Sequence, residues 1–113
     1  ENRRARQQAA TEAEALIAQC AAQFLQEQQA QAAKGFVLAY RQQVEAVRQA
    51  EMIKAQQMLA QGLSPHEVLE RLTRNLTNKL MHTPCVQLKE AAATNQHQKL
   101  AWSADLLGIH LED

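Results

Sequence analysis

The chain has 113 residues, of which twelve are basic and twelve acidic, so its formal net charge is zero. This length fits a single domain, and the neutral balance lacks the basic excess that is typical of a strong nucleic-acid binder. Hydrophobic residues make up 46% of the chain, which contains three Gly and two Pro; this excludes a disordered chain and the turn-rich sheet folds. All-α is the fold class that remains.

The first predicted helix covers residues 1–33. Within it, Leu16, Ile17 and Phe24 belong to one apolar stripe at helical spacing, and the opposite face carries Arg and Gln. The Lys-Gly pair at 34–35 is typical of a helix C-terminus, so we predict that the first helix ends there. A helix of this length with one apolar face must lie against other helices or against another chain.

A second helix is predicted over residues 36–61. Tyr40, Val44 and Val47 follow one another there at spacings of four and three residues, which places them on one apolar face. Gly62 supplies the stop signal at the C-terminal end of this helix.

The clearest start signal in the sequence precedes a third helix, which we predict over residues 65–82. Ser64 is suited to the N-cap, Pro65 to the first helical position, and Glu67 to the closing position of a capping box. Four leucines at spacings of three, four and four residues form the apolar stripe of this helix: Leu69, Leu72, Leu76 and Leu80.

Pro84 predicts the end of the third helix, because proline disfavours the helical conformation of the residue before it. Short C-terminal helices are predicted within residues 84–107, and Asn95 and Gln96 separate them. We therefore predict that residues 1–113 form a single domain, an antiparallel bundle of four to five helices with a long N-terminal helix.

The long predicted helices carry more apolar surface than the short ones can cover. Soluble monomers avoid exposed patches of this kind, and a twofold-related copy could cover the patch with the same surface. We therefore predict that homodimerisation completes the bundle. The predicted interface consists of ten apolar side chains: Leu16, Ile17, Phe24, Tyr40, Val44, Val47, Leu69, Leu72, Leu76 and Leu80.

Two groups of polar residues are candidates for a polar interface or for tRNA contacts. Arg41, Glu45 and Arg48 follow one another at i, i+4 and i+7 on one helix face, and Asn78 and Lys79 lie on the third predicted helix. Arginine is frequent in interfaces, and basic side chains bind phosphates, but an ordinary solvated ion-pair ladder is an equally open interpretation. The alternative function is therefore a helical tRNA- or RNA-binding module.

No phosphate-cradling loop, zinc-protease motif or nucleophile elbow occurs in the sequence. His82 and Cys85 lie three residues apart and could begin a zinc site or a reactive-thiol site, but zinc normally takes four ligands. We predict no catalytic residue, no metal ligand and no cofactor-binding residue in this chain. A small thiol or metal enzyme is the least favoured hypothesis.

Three features of the sequence bear on where the protein is located and on whether it is a piece of a longer protein. Two cysteines are too few for the disulfide framework of a small secreted domain, so we expect a reducing cytoplasm. No apolar run approaches the length of a membrane span, so no membrane partner is expected. The sequence begins at Glu1 directly on a helical pattern, and we interpret it as a piece of a longer protein.

One stretch of the sequence is specific enough to indicate a family. Residues 76–84, Leu-Thr-Asn-Lys-Leu-Met-His-Thr-Pro, resemble the L-x-N-K-L-x-H-x-P stretch of glutamyl-tRNA reductase. Residues 12–17 together with Phe24 are similar to the end of that family's long connecting helix, and residues 40–51 carry a similar pattern of Arg, Glu and Arg. The order and the gaps fit across nearly the whole chain.

The resemblance implies a V-shaped homodimer that uses NADPH to reduce glutamyl-tRNA to glutamate-1-semialdehyde for tetrapyrrole synthesis. In this family the catalytic cysteine and the NADPH site lie in domains N-terminal to the region that this chain resembles. The chain would then be the non-catalytic dimerisation domain, with residues 1–33 as the tail of the connecting helix. Its partner would be a second copy of itself, and tRNA-Glu would bind through the full-length protein.

Overall fold

A computed structural model describes residues 2–112 as three helices and the segments that join them. The helices are α1 (Asn2–Ala60), α2 (Pro65–Ala93) and α3 (His97–Leu107), and no strand occurs in the described residues. The all-α fold class is confirmed, but the predicted number of four to five helices is wrong. None of these helices is both long and apolar enough to cross a membrane.

The predicted break at residues 34–35 is wrong, because α1 runs through Gly35 without interruption. A glycine inside a helix costs about 1 kcal/mol relative to alanine but keeps both of its backbone hydrogen-bonding groups. The residues before it are rich in Ala and Gln, which favour the helix. The predicted helices 1–33 and 36–61 are therefore one helix that ends at Ala60.

The predicted end of the third helix before Pro84 is also wrong. Pro84 lies inside α2, which continues to Ala93, so residues 84–107 divide between the end of α2 and α3. Proline lacks the N–H that would bond the Leu80 carbonyl, at a cost of about 3 kcal/mol. The turns that follow Pro84 pack on α3, and this packing offsets part of the cost of the proline. Ala91, which lies in these turns, is 0% exposed.

The N-terminus of α2 forms as the sequence indicates. Ser64 has extended backbone angles (φ −65°, ψ 150°), and its hydroxyl accepts a hydrogen bond from the Glu67 N–H at 3.2 Å. The Glu67 carboxylate does not complete the capping box but accepts a hydrogen bond from Arg71 Nε at 2.9 Å. The side-chain cap on the backbone N–H is thus confirmed, and the reciprocal half of the predicted box is replaced by an ion pair within α2.

Each of the three helices ends in a Schellman motif. A residue with positive φ follows the last turn of each helix, and these residues are Gly62, Asn95 and Gly108. At the end of α1, for example, the Leu63 N–H donates to the Met58 carbonyl at 3.1 Å. These motifs satisfy backbone carbonyls that the helix ends leave free, and they fix the two short connections.

Contacts along the chain define two compact units, one up to Gln42 and one from Gln43 onward. In the first unit, residues 2–42 are helical and every side chain is exposed. The second unit holds the end of α1 with α2 and α3. Its buried residues are few: Glu51, Ala55, Val68 and Ala91.

Candidate dimer interface

The second unit presents an uncovered apolar face on the N-terminal half of α2. We call it the leucine face and define it as Leu69, Thr73, Leu76 and Leu80. These residues succeed one another at spacings of four, three and four, so they form one narrow stripe along the helix. Leu69 is 59% exposed and Leu80 is 37% exposed, whereas Leu76 is half-buried.

The threonines on and beside the leucine face are already satisfied as hydrogen-bond donors. The Thr73 hydroxyl donates to the Leu69 carbonyl at 2.8 Å, and the hydroxyl of the adjacent Thr77 donates to the Thr73 carbonyl at 2.7 Å. Burying a hydroxyl without a partner would cost free energy. A partner helix could therefore cover this stripe without leaving a donor unpaired.

In the C-terminal half of α2, by contrast, another helix of the same chain covers the apolar side chains. There, α3 packs against α2; Leu88 is half-buried and Ala91 is fully buried. The Lys99 ammonium of α3 donates to Gln87 Oε1 of α2 at 2.8 Å. Helix α3 thus covers one half of α2, and the leucine face in the other half remains exposed in the single chain.

The ten predicted interface side chains fall into two groups. Six are exposed, namely Leu16, Ile17, Phe24, Tyr40, Leu69 and Leu80. Four are half-buried within their own chain, namely Val44, Val47, Leu72 and Leu76. Their contact with a second copy stays a prediction.

A polar link joins α1 and α2 inside the second unit. Glu51 is 1% exposed, and its Oε1 accepts from Lys79 of α2 at 2.7 Å and from Lys54 of α1 at 3.4 Å. Among the described residues, Glu51 Oε2 is buried without a hydrogen-bond partner. The hydrogen bond from Lys79 holds the pKa of Glu51 below its usual value, and the same bond raises the pKa of Lys79.

The other polar candidates are at the surface. Glu45 and Arg48 form a close ion pair, which lowers the pKa of the Glu45 carboxyl through the hydrogen bonds from Arg48. The structure pairs Glu45 with Arg48 and does not place it between Arg48 and Arg41. Arg41 and Asn78 are exposed. The guanidinium of Arg48 and the ammonium of Lys79 are thus engaged within the chain, while their contact with a partner or with tRNA stays a prediction.

His82 and Cys85 are both exposed, and residues 2–112 contain no cluster of three or more His, Cys, Asp or Glu that could hold a metal ion. Within the part of the chain that the structure describes, neither Cys20 nor Cys85 is in a disulfide. The structure therefore places no further potential ligand beside this pair.

Sequence reasoning missed three exposed apolar side chains near the C-terminus. Trp102 and Leu106 lie four residues apart on α3, with exposed fractions of 66% and 85%, and Leu111 follows in the tail. The spacing of four between Trp102 and Leu106 could have indicated a shared face. Glu51 was missed as a buried residue because a glutamate within a helix gives no sequence signal of burial.

An all-helical chain with so small a core and an uncovered apolar face has the features of a helical association domain. Residues 12–109 match the family model described as "Glutamyl-tRNAGlu reductase, dimerisation domain". The chain belongs to this family.

The curated relatives extend this match to nearly the whole chain. It is 43% identical to the glutamyl-tRNA reductase of Pseudomonas aeruginosa over 109 residues, which is 96% of this chain and 26% of the relative. Identity is 42% with that of Stutzerimonas stutzeri and 43% with that of Pseudomonas putida strain W619, each over 97% of this chain and 26% of the relative. The chain thus spans about a quarter of the length of these relatives. No solved structure matches it.

Proposed function

We propose that this chain is the part of a glutamyl-tRNA reductase that joins two copies of the enzyme and takes no part in the chemistry. The observation that carries the proposal is the set of large apolar side chains left uncovered within each unit: Leu16, Ile17, Phe24 and Tyr40 in the first, and Leu69 and Leu80 in the second, all at least 37% exposed. Exposed apolar surface of this kind is typical of a protein–protein interface.

The longer protein supplies the reaction in this proposal. It reduces glutamyl-tRNA with NADPH to glutamate-1-semialdehyde for tetrapyrrole synthesis in the cytoplasm, and tRNA-Glu binds to the full-length dimer. The residues of this chain do not fit NADPH: Gly62 and Gly108 close helix C-termini and Gly35 lies within α1. A Rossmann-type dinucleotide site has a glycine-rich loop before a helix N-terminus. We therefore assign NADPH to the remaining three quarters of the protein.

The direct test is the mass of the isolated chain by multi-angle light scattering over a dilution series. We expect about twice 12.7 kDa at micromolar concentrations, with dissociation only on strong dilution. A mass of 12.7 kDa at every concentration would overturn the proposal, because this domain would then have no self-association to contribute. Circular dichroism on the same samples reports whether the chain is helical.

A further inference from the structure

We propose that the leucine face of α2 pairs with the leucine face of a second copy, with the two α2 helices antiparallel across a twofold axis. This pairing rests on the proposed function, that the chain forms homodimers. It names which of the exposed apolar surfaces meets the partner, and how.

The spacing of the leucine face is that of a coiled-coil seam. Steps of four, three and four residues make Leu69 and Leu76 d positions, and Thr73 and Leu80 a positions, of one heptad pattern. Val68 and Leu72 widen the apolar stripe of α2 on one side, where they are buried and half-buried within the chain, so the leucine face is the part of the stripe that stays uncovered. A single helix laid along this face would cover it.

The residues of the leucine face are spaced by four, three and four, and this spacing is the same in either direction along the chain. An antiparallel twofold pair therefore brings like-spaced positions opposite each other. Leu69 lies opposite Leu80 of the partner subunit, and Thr73 lies opposite Leu76 of the partner subunit. The midpoint of the seam, between Arg74 and Asn75 in sequence, lies on the axis.

Hydrogen bonding and charge both permit this pairing. The Thr73 and Thr77 hydroxyls are satisfied by their own helix, so the pairing buries no free donor there. In this register Glu70 comes level with Lys79 of the partner subunit, so no like charges are brought level at these positions. The described tail and α3 leave Leu69 and Leu80 exposed in the single chain, so the face is open to the second copy.

Cysteine cross-linking tests the direction of the pair. In a background with Cys20→Ser and Cys85→Ser, chains carrying Leu69→Cys are mixed and equilibrated with chains carrying Leu80→Cys, then oxidised mildly. We expect a disulfide between the two variants in the mixture and none in either variant alone. Within an antiparallel pair, two copies of position 69 are about eleven residues apart, or roughly 16 Å, whereas a disulfide needs Cα atoms within about 7 Å.

A charge test measures whether this face carries the affinity. Leu69→Glu buries two carboxylates per dimer, and we expect the dimer dissociation constant to rise by about 100-fold or more. The matched control is Leu106→Glu, which places the same side chain at an apolar position that is 85% exposed on α3; its dissociation constant should stay near the wild-type value. Circular dichroism on both variants checks that the helices remain.

The outcomes separate the two proposals. A wild-type dimer that persists in Leu69→Glu, or that is broken by Leu106→Glu instead, overturns the α2 pairing and leaves dimerisation standing. Cross-linking of Leu69→Cys with itself overturns the antiparallel direction, because it places equivalent positions side by side. A wild-type chain that stays monomeric overturns the proposed function and this pairing with it.

Discussion

Glu51 carries a carboxylate that is almost completely buried, yet its two oxygens have different surroundings. Oε1 accepts from two lysines, whereas Oε2 is buried without a partner among the described residues. Removing a charge from water is unfavourable, so such a pair contributes less to stability than its distance suggests. The Lys79–Glu51 hydrogen bond nevertheless joins α2 to α1 at a defined point along both helices. We infer that Glu51 positions α2, and with it the leucine face.

The pH dependence of stability tests this role. The folded-state pKa of Glu51 is below its ordinary value of 4.5, so its contribution is complete above that value and is lost as pH falls through the lower folded pKa. The pKa of Lys79 is raised above 10.5, so its contribution is lost only as pH rises through that higher value. Glu51→Gln should therefore lower the melting temperature at pH 7 and flatten its decline below about pH 5.

Glu45→Gln is the matched control for this experiment. Its carboxylate also has a lowered pKa, but the ion pair with Arg48 is half-exposed and lies within one helix. Solvent screens such a pair, so this variant should change the pH profile less than Glu51→Gln does. Equal profiles for the two variants would contradict a special role for Glu51.

At the scale of the helices, the sequence predicts what local chemistry decides. Ser64 caps α2 and Gly62 closes α1 because each needs only its immediate neighbours to form its bonds. Gly35 and Pro84 are typical of helix ends, but the helix propensity of the surrounding turns offsets the cost of Gly35, and the packing of α2 on α3 offsets the cost of Pro84. The few residues around each position do not reveal these compensating contributions. The burial of Glu51 likewise depends on which residues of α2 lie opposite α1, which no local pattern contains.

The two misread positions give a direct test of the helix boundaries. Pro84→Ala restores an N–H to the Leu80 carbonyl and should stabilise the protein by about 1–3 kcal/mol. Gly35→Ala should add about 1 kcal/mol, since a Cβ there meets no atom within 4 Å. Urea unfolding at one fixed protein concentration measures both. A loss of stability in either variant would contradict an uninterrupted helix at that residue.

On the scale of the whole chain, most apolar side chains are exposed, and burial is concentrated in a few residues of the second unit. Among residues 2–112, three apolar residues are buried: Ala55, Val68 and Ala91. All three have small side chains, so they remove little apolar area from water, and the hydrophobic contribution within one copy is small. The sequence predicted this shortage correctly from the length of its apolar stripes, although it divided the stripes among too many helices. We therefore expect a second copy to contribute much of the stability.

This dependence on a partner predicts that the melting temperature rises with protein concentration. If folding and pairing are linked, each tenfold increase adds about 1.4 kcal/mol to the stability of the dimer. For a dimer of this size the shift is about 3–6 °C per tenfold change, measurable by circular dichroism from 1 to 100 μM. Because Leu69→Glu weakens the pairing, its melting temperature should lie below that of Leu106→Glu at each concentration. A wild-type melting temperature that is constant over this range would mean that the three helices are stable without a second copy.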